Sequence, residues 1–157
     1  MVLSIYIMIT WFTITSFALY ARKLSILENL FIYIIVSMIV INKATLVSLN
    51  FGYVEITKDT VLYLCHLLSR NVVIPLTLLL FCNIFYIAKK QIIKYASIFI
   101  TLTLLISLEY LAIYFGIYTY KNWSPFIELL SLLLYILLTL LCAKWFRKRL
   151  KKDGIFI

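Results

Sequence analysis

Long stretches without charge constrain this chain more than any other feature of its sequence. They cover approximately residues 1–20, 29–51, 71–88, 95–120 and 126–146, and none contains more than two charged side chains. A helix rises about 1.5 Å per residue, so about 20 residues cross the ~30 Å hydrocarbon core of a bilayer. The pattern therefore predicts about five transmembrane helices.

The composition is that of a chain solvated by lipid. Of its 157 residues, 65% are hydrophobic and 13% are charged, and the mean hydropathy is +1.07. Soluble domains contain only about 45–50% apolar residues, because they present a polar surface to water. Three glycines, two prolines and no detectable repeat leave no sign of a linker. We expect an all-α integral membrane helical bundle that forms a single transmembrane domain over residues 1–157.

Two segments need a choice between interpretations. Arg22 and Lys23 follow the first apolar stretch, whereas a cleaved signal peptide carries its basic residues before that stretch, so we expect residues 1–20 to be a span. Residues 54–69 combine apolar positions at helical spacing with several polar side chains. This segment predicts either a short interfacial helix or an extension of the third span.

The basic residues predict the orientation of the bundle. If the N-terminus is outside and the C-terminus inside, 11 of the 15 Lys and Arg residues lie at the inner ends of the spans. Short cytoplasmic segments carry an excess of basic residues, and the opposite orientation would invert this bias. We expect a multi-pass protein of the cell membrane, specifically the bacterial cytoplasmic membrane.

The last basic run, within residues 147–157, predicts a cytoplasmic tail. A net charge of +9 would suggest nucleic acid in a soluble protein, but next to a span it favours the anionic lipids of the inner leaflet instead. Each Lys or Arg near that surface contributes about 1 kcal/mol. Docking to a partner protein is the alternative. The predicted lipid contacts are Arg147, Lys148, Arg149, Lys151 and Lys152.

A polar cluster is predicted inside the membrane. Glu109 has no charged neighbour for fourteen positions before it and eleven after it, and Lys43 is the one charge of the second span. Counted from the inner ends of their spans, the two lie at about 21 Å and about 20 Å, which predicts neighbours or a shared water-filled pocket. Asn42 and Glu128 extend this cluster. It is either a polar staple that sets helix register or a functional site on a proton or substrate path.

Other polar residues carry weaker signals. Glu55, Asp59 and His66 fall roughly on one helical face and are the candidates for a metal or acid–base site, but no second His or Cys supports a metal. We expect no cofactor, no metal and no catalytic residue. Asn83 is expected to pair helices. The three cysteines, at positions 65, 82 and 142, are expected to be buried as small apolar residues.

Several motifs resemble a family of small multi-pass membrane proteins from spore-forming Gram-positive bacteria, over approximately residues 25–148. That family has no characterised activity, so the resemblance implies location and topology only. Its usual Tyr-Pro pair after the Phe-Gly, and its Trp-rich fifth span, are absent here. The motifs are "NFGYVEI", "PLTLLLFCN", "LEYLAIYFGIYTYKNW" and "KWFRK".

The sequence leaves three functions open. The first is a non-enzymatic accessory or interaction subunit of the cell envelope, acting with a membrane-protein partner or as a homo-oligomer. The second is a small-solute or proton-coupled permease that works as an oligomer through Lys43 and Glu109. The third is a membrane enzyme that acts on lipid. Small size and the absence of a recognisable catalytic motif favour the first.

Overall fold

The structure, a computed structural model, describes residues 1–20 and 24–152, with the backbone alone for residue 151. These residues form six α-helices and two short strands. The helices are α1 (Val2–Tyr20), α2 (Ile26–Thr45), α3 (Thr60–Leu68), α4 (Ile74–Ile87), α5 (Gln91–Tyr114) and α6 (Pro125–Lys152). The strands are β1 (Val54–Ile56) and β2 (Tyr118–Tyr120).

Two π-helical turns make longer rods of these helices. Leu46–Asn50 continues α2, and Ser69–Val73 joins α3 to α4. Among the described residues, five helices are then long and apolar enough to cross a membrane. The predicted all-α bundle of five spans is confirmed. The spans are Val2–Tyr20, Ile26–Asn50, Thr60–Ile87, Gln91–Tyr114 and Pro125–Leu150.

The rod formed by α3 and α4 begins at Thr60, eleven residues before the predicted start of the third span at 71. Of the two interpretations of residues 54–69, the helical part from Thr60 onward fits the extension of the third span. Asp59 caps the rod, since its carboxylate accepts a hydrogen bond from the Leu62 N–H at 2.9 Å. Pro75 therefore lies well inside the rod, where its missing N–H leaves the Asn71 carbonyl without a helical donor. The Tyr33 hydroxyl of α2 donates to that carbonyl at 2.9 Å. This bond gives the Asn71 carbonyl a donor next to the proline.

The fourth span ends at Tyr114 rather than at 120, because the chain turns into a β-ribbon. Gly116 takes a φ of +68° after α5, and Gly52 takes a φ of +62° before β1. Glycine adopts this left-handed conformation without the strain of a Cβ atom. The strands then pair antiparallel, with Glu55 opposite Thr119. We call these two strands the ribbon.

The bundle has two chemically different ends. At the ribbon end lie the ribbon, the end of the second rod and the starts of α3 and α6. The opposite end carries the basic residues of α6 and of the segment before α5, and we call it the basic end. Helix α4 lies centrally, in contact with α1, α2, α5 and α6, and it buries Leu78, Leu79 and Phe81.

The cysteines contribute to packing, as predicted. All three are free thiols: Cys65 and Cys82 are buried, and Cys142 is partly buried. Cys82 belongs to the main apolar core and Cys65 to a smaller one beside Tyr6 and Ile117, near the ribbon.

Candidate functional site

A cavity of about 80 Å³ lies inside the ribbon end of the bundle. Its walls come from α2 to α6, both π-helical turns and the ribbon. We call it the central cavity. Charged or ionisable groups are rare in this chain, yet several meet here. They are Lys43, His66, Arg70, Glu109, Glu128 and two tyrosines, Tyr118 and Tyr135.

Lys43 and Glu128 form an ion pair on one wall of the central cavity. The Lys43 Nζ lies 2.6 Å from both carboxylate oxygens of Glu128. The Trp123 indole Nε1–H donates to Glu128 Oε2 at 2.8 Å. The ammonium also lies 5.7 Å from the Trp123 ring centre and 5.6 Å from that of Tyr135. Glu128 is 5% exposed, and these contacts offset the free-energy cost of removing its charge from water.

A tyrosine of the ribbon holds Glu109. The Tyr120 hydroxyl donates to Glu109 Oε1 at 2.8 Å, and Tyr118 of the same strand lines the central cavity together with this carboxylate. Burial raises the pKa of both hydroxyls above their usual value, and the adjacent Glu109 charge raises it further. Both tyrosines therefore stay protonated and act as donors. Within the described part of the chain, a phenol bonds this carboxylate and no ion pair is formed with it.

His66 and Arg70 lie one helical turn apart on the same rod. His66 is 8% exposed, and its Nε2 has no hydrogen-bond partner within the described part of the chain. Its ring lies 6.2 Å from that of Tyr63 and 6.0 Å from that of Tyr118. The Arg70 Nε–H donates to Asn71 Oδ1 at 3.1 Å. Both side chains face the central cavity.

Both π-helical turns lie against the central cavity. The first supplies Val47 and Ser48 to its wall, and the second supplies Ser69 and Arg70. A π-helical turn holds one residue more than an α-helical turn, so it rotates the side chains that follow and often occurs at functional sites.

An apolar cleft lies between α5 and α6 beside the central cavity. It measures about 590 Å³, and its walls include Ile106, Ile113 and Leu129. We call it the lateral cleft. Glu109 and Glu128 line both the lateral cleft and the central cavity. The two carboxylates thus stand between these spaces.

Three of the four residues in the predicted intramembrane cluster lie on the central cavity, namely Lys43, Glu109 and Glu128. Their similar depth in the membrane predicts that Glu109 is the partner of Lys43. The ion pair instead forms with Glu128, because α2 packs along α6. Asn42 is excluded from the cluster. Adjacent residues of a helix point about 100° apart, so Asn42 does not line the cavity with Lys43. Its side chain is exposed, and its amide donates to the Met38 carbonyl at 2.8 Å.

The basic end contains an ion pair that the sequence did not predict. Arg147, predicted to contact lipid, has its Nε 3.4 Å from Glu28 Oε1 and its guanidinium 4.8 Å from the Tyr86 ring centre. Glu28 is 1% exposed and also forms a capping box with Ser25. Glu28 lies just before a predicted span, and this position is the sequence feature that could have indicated the pair. Residues 147–152 continue α6, so the first part of the predicted tail is helical.

The remaining predicted lipid contacts differ in position. Lys148, Arg149 and Lys152 are exposed at the basic end. The side chain of Lys151 and residues 153–157 lie outside the described residues. The structure therefore leaves an exposed basic surface of three side chains for the predicted contact with anionic lipid.

Asn83 joins two parts of the basic end, as expected for a helix-pairing residue. It is fully buried, and its Oδ1 accepts from the Leu24 N–H at 3.1 Å. Its Nδ2 donates to Asn29 Oδ1 at 2.9 Å and to the Leu79 carbonyl at 3.0 Å. α4 is thereby tied to the start of α2.

The candidate acid–base set does not converge. Glu55 is exposed and pairs with Lys121 at 3.1 Å, Asp59 caps α3, and His66 faces the central cavity. Within residues 1–20 and 24–152, no group of three or more His, Cys, Asp or Glu side chains is placed to hold a metal ion.

The chain matches no protein-family model, no curated protein and no solved structure.

Proposed function

We propose that this protein acts by binding rather than by catalysis, as an accessory subunit of the bacterial cytoplasmic membrane, and that the central cavity is its binding site. One observation carries the proposal: five acidic or basic side chains from different elements face one small cavity within the bundle. Polar groups inside a membrane bundle are costly, so their convergence favours a ligand site over chance.

The bonds around the central cavity favour binding over catalysis. Both oxygens of Glu128 accept bonds from Lys43, and Tyr120 donates to Glu109. A general acid or base needs to exchange its proton with a substrate, and carboxylates held this way are preorganised for recognition instead. Ser48, on the cavity wall, donates its hydroxyl to the Ala44 carbonyl, so it is not activated as a nucleophile.

The membrane and the orientation are part of the same proposal. Lys89, Lys90, Lys148 and Arg149 gather at the basic end, which supports a cytoplasmic position for that end. The central cavity then belongs to the outer half of the membrane. The resemblance to proteins of spore-forming Gram-positive bacteria supports the cytoplasmic membrane of such a cell. A membrane-protein partner or a second copy would pack on the apolar outer faces of the bundle.

A second candidate is a small-solute or proton-coupled permease. Glu109 and Glu128 line the central cavity and the lateral cleft together, and this arrangement favours it. Ionisable residues between two spaces inside a membrane are a common feature of proton and substrate paths. Transport by proteoliposomes, lost with Glu109→Gln, would support this candidate over simple binding.

Filling the central cavity tests the binding proposal. Ala44 lies on the cavity wall, so Ala44→Phe places a ring in the space. Ala96 is exposed on α5, so Ala96→Phe adds the same ring outside the cavity. Native mass spectrometry of protein extracted in mild detergent should find a bound small molecule in the wild type and in Ala96→Phe. The same molecule should be absent from Ala44→Phe. The same bound mass on all three proteins, or no bound mass on the wild type, would overturn the proposal.

A further inference from the structure

We propose that the ligand of the central cavity is a small zwitterion with an ammonium and a carboxylate a few bonds apart, as in a neutral α-amino acid. This inference rests on the proposed function and specifies its ligand. It follows from the charges, hydrogen-bonding groups and size of the cavity.

The charges of the central cavity leave one group of each sign unpaired. Lys43 and Glu128 neutralise each other. Arg70 and Glu109 also line the cavity, and neither has an ion-pair partner within residues 1–20 and 24–152. A ligand with a single charge would compensate one of them and oppose the other. A zwitterion compensates both, so it is the class that the walls select.

Arg70 and His66 form the anion-binding side. They are four residues apart on a helical rod, so both can reach one ligand. His66 Nε2 is buried and has no hydrogen-bond partner in the described part of the chain, and a ligand would complete it. The planar guanidinium of arginine suits a carboxylate, whose two oxygens can accept from Arg70 and from His66 together.

Glu109 forms the cation-binding side. The Tyr120 hydroxyl occupies one site on Oε1, and an ionised carboxylate offers about four acceptor sites. An ammonium with N–H donors can use the sites that remain after Tyr120 has bonded. A quaternary ammonium has no N–H and would leave them unfilled, so the geometry points to a primary amine.

The size of the central cavity limits the ligand. About 80 Å³ is room for several water molecules, since about 10–15 Å³ of such space is enough to hold one. This space suits a small neutral amino acid better than a peptide or a whole lipid headgroup. The walls between the polar sides are apolar, with Val40, Val47 and Ile74 among them, and they suit a short aliphatic side chain.

A set of matched small molecules tests the inference. Alanine carries both charges, alaninamide lacks the carboxylate charge, and propionate lacks the amine. Calorimetry on the purified full chain in detergent should show alanine binding, with each analogue weaker by about tenfold or more, since each loses a charged hydrogen-bonding partner. Arg70→Gln and Glu109→Gln should each weaken alanine binding similarly. Lys121→Gln, on the exposed surface, should not change it.

The outcomes separate this inference from the proposed function. If propionate or alaninamide binds as well as alanine, the zwitterion is wrong although the cavity still binds a ligand. If alanine and its neutral homologues do not bind, while Ala44→Phe still removes a native ligand, the ligand class is again wrong. Should Arg70→Gln or Glu109→Gln lose its monodisperse elution, the comparison of the three molecules on wild-type protein decides alone.

Discussion

The Lys43 ammonium lies 2.6 Å from both carboxylate oxygens of Glu128 and joins two helices whose pairing residues are 85 positions apart in the chain. Glu128 is 5% exposed, while about a quarter of the Lys43 side chain remains accessible. The pair therefore fixes α2 against α6 next to the central cavity. It does so in surroundings where water screens the charges poorly.

Replacing Lys43 with Leu should lower the free energy of unfolding by about 2 kcal/mol, because a buried carboxylate then lacks its counter-charge. The double variant with Glu128→Leu should recover most of that loss. The exposed pair Lys121–Glu55 is the matched control, and the same cycle there should give a coupling below about 0.5 kcal/mol. Denaturant titration of the purified protein measures all of these. Additive losses for Lys43 and Glu128 would contradict the pairing.

The sequence predicted the number of spans and the concentration of polar groups at one depth, but not the partners within that depth. Hydropathy and length are properties of single segments, so they place Lys43 and Glu109 at similar levels without reference to neighbouring helices. The ion pair to Glu128 depends on which helices pack together, and that information is spread over the whole core. Asn42 shows the same limit of prediction from depth, since it lies next to Lys43 in the chain but is exposed, while Lys43 lines the central cavity.

Contacts between segments, together with a glycine turn and a helix cap, explain why two predicted span boundaries are incorrect. The end of the fourth span at Tyr114 depends on Gly116 and on pairing with a strand that lies more than fifty residues earlier. The early start of the third span depends on the Asp59 cap and on Tyr33 satisfying the carbonyl that Pro75 leaves unpaired. Both involve contacts between segments, which a window of hydropathy does not contain.

Arg147→Gln should destabilise the basic end, whereas Lys148→Gln should not. Arg147 is the cation beside the buried Glu28, and Lys148 is exposed. We expect the apparent melting temperature in detergent to fall by about 3–6 °C for Arg147→Gln, and to change little for Lys148→Gln. Lys148→Gln should instead reduce retention of anionic lipid, measured by native mass spectrometry. Equal thermal stability of the two variants would contradict the role of Arg147.

Asn83→Ala should cost about 1–3 kcal/mol of stability, because it leaves the buried Leu24 N–H without an acceptor. Asn42→Ala is the matched control, since Asn42 is exposed and its amide donates to a carbonyl of its own helix. That change should stay within about 0.5 kcal/mol of the wild type. Denaturant titration of both variants gives the comparison. Similar losses at the two positions would show that Asn83 does not tie α4 to α2.

Alkaline pH should weaken the ribbon end through Tyr118 and Tyr120. Burial, followed by the Glu109 charge, raises the pKa of both hydroxyls above the ordinary value of 10.0. Below about pH 10 both hydroxyls are protonated in the folded and unfolded chain, and their contribution to stability is complete. Above it the unfolded chain loses these protons more readily, so stability falls as the pH rises. Thermal unfolding at increasing pH should show this fall in the wild type and in Tyr114→Phe, where the ring is 82% exposed, but less in Tyr118→Phe/Tyr120→Phe. Parallel pH profiles for all three proteins would mean that these hydroxyls do not couple protonation to folding.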